Sequence, residues 1–213
     1  MSDQYWLAFD SETGGLNPST ADILTLYMAV VDENFKVLEE LDLKLKPDQS
    51  RLPVAEAGAL KVNGIDLHKH LADPETITYS EAKEKIVVLL KKYLKKRGRY
   101  SNLTPLGQNV DFDIKWLQYH ILPEDEYDEY VHYGKMDTKM ISDFFKSCGW
   151  FPKDVGNLGS IAKHLNITLS NAHNARADTL ACVEVYKKMV ELMESKKDGG
   201  GQSVDLIALL ESE

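Results

Sequence analysis

The chain has 213 residues, 43% of them hydrophobic, and a formal net charge of −9. That length and apolar content suit one domain with a sizeable core. The charge argues against a protein that grips nucleic acid through bulk positive charge, but not against one that holds phosphate through bound cations. No apolar run reaches bilayer-spanning length, and Met1-Ser2-Asp3-Gln4 lacks the basic-then-apolar plan of a signal peptide. Cys148 and Cys182 are far apart, with no Cys-x-x-Cys spacing. They read as two reduced, buried thiols and point to the cytoplasm.

Along the chain, Tyr5 to Asp10 is a short aromatic and aliphatic run that predicts a buried strand ending on an acid. Ile23 to Val31 predicts a second strand. After the Asp32-Glu33-Asn34 turn, Val37, Leu38, Leu41, Leu43 and Leu45 give a third, closed by Pro47. The three read as an antiparallel meander. Ala55 to Val62 predicts a short helix stopped at Asn63-Gly64. Ser80 precedes Ala82, Ile86, Leu89, Leu90, Tyr93 and Leu94 at helical spacing. Thr104 to Gln108 predicts a fourth strand, Val110 to His120 a helix, and Met136-Asp137 the end of a fifth strand. Helices are then expected over Thr138–Cys148, Gly156–Leu165 and Asn174–Met193. Strands first, then strands interleaved with helices, predict an α/β layer with a mixed five-stranded sheet. Lys196 to Ser203 reads as a flexible linker leading to the apolar cassette Val204–Leu210. This places one domain over residues 1–195 and a linker with a short tail over 196–213.

Three clusters of functional side chains lie near the start, middle and end. Asp10 and Glu12 are two apart on a strand end, so both face one side. Beside Gly14-Gly15 they equally suit an exposed turn. Asp113 follows Asn109 and Phe112; Asn109 suits a helix cap, and Asp111 and Asp113 suit a first helical turn as dipole partners. His173 and Asp178 are five apart, misaligned on one continuous helix but able to converge if His173 precedes it. A surface His and an Asp178 salt bridge to Arg176 or Lys187 is the structural alternative. Each cluster alone has an ordinary explanation; their conjunction does not.

The segments Phe-Asp-Ser-Glu-Thr-Gly-Gly-Leu, Gly-Gln-Asn-Val-Asp-Phe-Asp and His-Asn-Ala-Arg-Ala-Asp-Thr, in that order, closely resemble the three motifs of the DEDDh family of 3′–5′ exonucleases. The resemblance covers roughly residues 4–195, and the histidine five positions before the last aspartate separates this branch from the one with tyrosine. The family includes the proofreading subunit of bacterial replicative polymerases. Ala59 to Ile65 is similar to a family segment in which many members carry histidine at the position of Asn63, and Asp137-Thr138 is similar to another recurring feature. The resemblance implies a ribonuclease H-like fold. It also implies a site for two divalent cations, Mg²⁺ or Mn²⁺, which carboxylate oxygens suit. Asp10 would bridge both ions, Glu12 and Asp178 would complete the first, and Asp113 would act through water. His173 would be the general base. Thr13, Gly14 and Leu16 would hold the terminal nucleotide, with Asn63, Asn109 and Phe112 near it. The implied activity is release of nucleoside 5′-monophosphates from 3′ ends of single-stranded or frayed DNA, with RNA as the alternative substrate. A non-catalytic nucleic-acid-binding relative is the rival, disfavoured because all four acids and the histidine are present.

Residues 83–99 carry eight basic side chains, which read as the solvated face of the amphipathic helix rather than a strand-guiding patch. Arg176 is a phosphate candidate or a salt-bridge partner in equal measure. Gln202 to Ile207 faintly resembles the peptides that dock on sliding clamps, which would bring a polymerase or clamp partner through the tail.

Overall fold

The computed structural model describes residues 4–97, 100–169 and 174–198. Three strands come first, β1 (Tyr5–Thr13), β2 (Ile23–Val31) and β3 (Val37–Lys46). Two short helices, α1 (Ala57–Asn63) and α2 (Leu67–Ala72), lead to β4 (Thr76–Thr78) and the long helix α3 (Tyr79–Tyr93). A small two-stranded ribbon, β5 (Lys96–Arg97) and β6 (Tyr100–Ser101), precedes β7 (Leu103–Gly107). Then follow α4 (Val110–His120), α5 (Glu124–Tyr130), β8 (Met136–Asp137), α6 (Thr138–Ser147), α7 (Leu158–His164) and α8 (Ala175–Asp198).

The main sheet has strand order β4-β3-β2-β1-β7-β8. β1, β2 and β3 pair antiparallel, while β7 joins β1, β8 joins β7 and β4 joins β3 in parallel. This is the mixed sheet expected from the sequence, with six strands instead of five. The extra one, β4, has three residues paired to Lys44–Lys46, too short to show a period-two pattern. The acidic helix α5 also escaped the sequence reading, because Tyr127 is its one buried side chain. α8 runs on through Asp198, past the boundary expected near Ser195, since Lys196 and Lys197 are good helix formers. The tail 199–213, and with it the clamp expectation, lies outside the described residues.

Side-chain alternation along the central strands divides the core into two layers. Leu7 and Phe9 of β1, and Leu26, Met28 and Val30 of β2, pack with Ile86 and Leu90 of α3 and Trp116 and Leu117 of α4. Ala8, Tyr27, Ala29 and Val31 turn to the other face, against Val183 and Tyr186 of α8. A third cluster, with Phe145, Phe151, Ile161, Val185 and Met189, locks α6 and α7 onto α8. Cys182 is buried, but Cys148 is exposed; it sits at the C-terminal cap of α6, where the apolar face has ended. No described helix is long and apolar enough to cross a membrane.

α3 begins at a complete capping box, Thr78 with Glu81, and Ile86 at its middle is fully buried. Ile86→Ala should therefore cost about 2–5 kcal/mol through lost burial and the cavity left behind. Urea denaturation measures it; a cost below half that range would place Ile86 outside the packed core.

Candidate active site

The alternation that builds the core also sorts the acids. Asp10 and Glu12 share the face of β1 that turns toward α8, whose first turn carries Asp178. One oxygen from each of Asp10, Glu12 and Asp178 lies within 4.8 Å of the other two. Ser11 points to the opposite face. Its amide and hydroxyl both donate to Asp113 Oδ1, at 3.0 and 2.6 Å, and Asp113 is buried in the first turn of α4. Asp113 is thus tied to the strand between the two acids without being a member of the three-oxygen cluster. His173 lies outside the described residues.

Crowding and burial change these carboxyls. Burial pushes Asp10 well above its ordinary value, with Asp113, Glu12 and Asp178 adding like-charge repulsion. Burial, then Asp178 and Asp113, raise Glu12 from 4.5 to about 7. Burial raises Asp113 from 3.8 to about 7 although the two bonds from Ser11 oppose it. Such a cluster holds protons near neutrality unless cations replace them. An all-oxygen donor set fits a hard divalent cation such as Mg²⁺ or Mn²⁺. Arg176 of the third motif is committed elsewhere: it pairs with Glu40 at 3.0 Å and lies over the Tyr27 ring, and Tyr27 donates to the same carboxylate. Arg176 is therefore the salt-bridge partner, to Glu40 rather than to Asp178.

Beside Glu12 opens a cavity of about 400 Å³, lined by Thr13, Leu16, Asn63 and Phe112 of the expected nucleotide set, and also by Glu56, Ala59 and Val62. Leu16 stands 84% exposed at its mouth. Asn63 donates to the Thr13 carbonyl at 3.2 Å and accepts from the Ile65 amide, so it braces the cavity as well as lining it. Gly14 lies outside the lining; a Cβ there would sit 2.4 Å from the Val54 carbonyl oxygen, so its small size lets the 54–55 segment close on β1. Asn109 is also outside the lining. It occupies the left-handed region (φ 59°) ahead of α4 and makes no side-chain cap bond, contrary to the sequence reading. Asp137 does the capping instead, accepting from the amides of Asn109 (3.0 Å), Val110 (3.2 Å) and Lys139 (2.9 Å). Its carboxylate so joins the starts of α4 and α6, and the Asp137-Thr138 pair at a strand end was its signal in the sequence.

The basic residues of α3 are partly spent on partners: Lys83 pairs with Glu126 at 2.5 Å and Lys92 with Glu39. That fits a solvated helix face.

Comparison with known proteins agrees with this fold. The RNase_T exonuclease family model matches residues 7–186. The oligoribonuclease of Halorhodospira halophila is 23% identical over 157 residues, covering 73% of this chain and 81% of that protein. Among solved structures, E. coli exonuclease I in complex with a dT13 oligonucleotide superposes with a TM-score of 0.66 at 21% identity, over 88% of this chain and 41% of that one. Its complex with a dA16 oligonucleotide gives 0.66 at 23% identity, over 89% and 41%. At these identities the solved structures establish the shared fold, and this chain spans about two-fifths of their length.

The raised carboxyls set a pH dependence for the metal-free protein. Folded Glu12 and Asp113 bind protons more tightly than in the unfolded chain. Their stabilising contribution is full below the unfolded values of 4.5 and 3.8 and is lost as pH rises through about 7. The midpoint of thermal unfolding in chelator should fall between roughly pH 5 and pH 8. Mn²⁺ at about 100 times its Kd should restore about 2.7 kcal/mol at the upper end. A midpoint indifferent to both pH and Mn²⁺ would show that the acids do not form a cation site.

Proposed function

The chain belongs to the exonuclease family whose model spans residues 7–186, and on that premise we propose that it is a metal-dependent 3′–5′ exonuclease acting on single-stranded or frayed DNA. The observation that carries the reading is the convergence of Asp10, Glu12 and Asp178 within 4.8 Å, from segments at opposite ends of the chain. In this reading Asp10, Glu12 and Asp178 would hold two divalent cations, with Asp113 assisting from the other face of β1. When bound, the cations supply Lewis-acid stabilisation of charge on the scissile phosphate and on the attacking and leaving oxygens. Thr13, Leu16, Asn63 and Phe112 hold the terminal nucleotide, and Gly14 lets the wall close behind it. His173 takes a proton from the attacking water, a task suited to a near-neutral imidazole. The water oxygen bonds to phosphorus, the bond from phosphorus to the 3′ oxygen breaks, and that oxygen leaves as the new terminal hydroxyl. The product is a nucleoside 5′-monophosphate.

Support for DNA comes from exonuclease I, solved with dT13 and dA16 oligonucleotides on the same fold. A second reading, hydrolysis of short RNA, draws on the oligoribonuclease relative, which this chain covers to 81%.

Incubating 5′-labelled DNA and RNA of one sequence with Mg²⁺ or Mn²⁺ separates the two. The DNA should shorten in single-nucleotide steps faster than the RNA, and Asp10→Ala or chelator should abolish the ladder. His173→Ala should lower the rate about 10²–10⁴-fold while leaving Mn²⁺ affinity near the parental value. Faster loss of the RNA would favour the second reading. One internal cut, or a ladder that survives Asp10→Ala, would sink the assignment.

A further inference from the structure

The wall of the nucleotide cavity has an unusual means of support. It comprises the segment from Val54 into α1, and no residue of α1 is buried. Leu52, Val54 and Val62 are 68%, 51% and 61% exposed. Pro53 is buried and Ala55, Ala59 and Leu60 are half-buried, so apolar packing holds this limb only in part. Polar links add the rest. The Asp22 amide donates to the Val54 carbonyl (2.9 Å), the Gly14 amide to the Asp22 carbonyl (2.7 Å) and the Glu56 amide to the Gly14 carbonyl (2.7 Å).

The Asp22 carboxylate is the knot of this arrangement. It is 2% exposed, accepts two bonds from the Arg51 guanidinium (2.5 and 2.8 Å) and one from the Val54 amide (2.7 Å). The Tyr79 hydroxyl donates to it at 3.2 Å from the packed side. A buried charge of this kind is tolerated only when its oxygens are paired. Burial alone would raise the Asp22 carboxyl; Arg51 and the Val54 amide hold it below its ordinary value. Asp22 also lies immediately before β2, opposite the end of β1. It joins the scaffold that carries Asp10 and Glu12 to the limb that carries Glu56, Ala59 and Asn63.

We propose that Asp22 is a positioning residue that sets how tightly the cavity holds the terminal nucleotide, by fixing the wall from Val54 to Asn63 through Arg51 and the Val54 amide. The proposal rests on the exonuclease reading of the cavity and adds a separate determinant to it: the acids serve the chemistry, and the Asp22 knot serves the grip on the strand end.

The test compares Asp22→Asn and Arg51→Gln with the parent in the full chain. Four readouts are used: steady-state hydrolysis of a single-stranded oligonucleotide, calorimetric binding of thymidine 5′-monophosphate, Mn²⁺ affinity, and hydrogen–deuterium exchange. KM and the dissociation constant of the monophosphate should each rise about tenfold, as loss of a charge-assisted bond predicts. kcat and Mn²⁺ affinity should stay near the parental values. Exchange should quicken over residues 54–63 and not in α3 or α8. The double variant should be no worse than the more affected single one, because both remove one linkage. A fall in kcat with KM unchanged, or faster exchange throughout the chain, would overturn the proposal. If Asp22→Asn does not fold, Arg51→Gln, altered at a half-exposed side chain, carries the same outcomes. If the parent hydrolyses no strand, the exonuclease reading fails, while monophosphate binding and exchange still decide the role of Asp22.

Discussion

Crowded negative charge at the end of β1 is the constraint on which the rest of the molecule turns. Asp10 and Glu12 face α8 from one side of the strand, and Ser11 between them reaches through to Asp113 on the other. A three-residue stretch thereby gathers acids from both helical layers. The two layers must be in register with the strand for this to happen, which β2, buried at all but Thr25, and the packing of α4 and α8 against the sheet provide. The described residues then carry crowded negative charge that Arg176 does not offset, because Arg176 pairs with Glu40 and lies over the Tyr27 ring. A divalent cation fits that charge.

What could be read from the sequence follows from how local each signal is. β1, β2 and α8 declare themselves by apolar runs and helical spacing, and the acids by residue type in a fixed order. β4 has three residues, and α5 hides one buried tyrosine among acids, so neither carries enough periodicity to be seen. The capping of α4 was misassigned because it is not local. Asn109 has the right residue type for a cap, yet Asp137, 28 residues away, supplies the carboxylate. The Asp22 and Arg51 pair was missed for the same reason, being joined across 29 residues by the tertiary fold alone.

The same contrast divides the site by its physical support. The acid cluster stands on strands and helices whose neighbours are buried apolar side chains, so displacing it means disturbing the core, at a cost of kcal/mol per residue. The cavity wall leans on hydrogen bonds to one buried carboxylate and two backbone carbonyls, around a helix with no fully buried residue. Bonds of this kind fix geometry closely while made, but each can be lost without opening the core. Within the exonuclease reading, the catalytic centre is therefore the rigid half and the strand-gripping wall the adjustable half. Substitutions that change which strand ends are held should accumulate in residues 51–63 and around Asp22, where they leave the cation site standing.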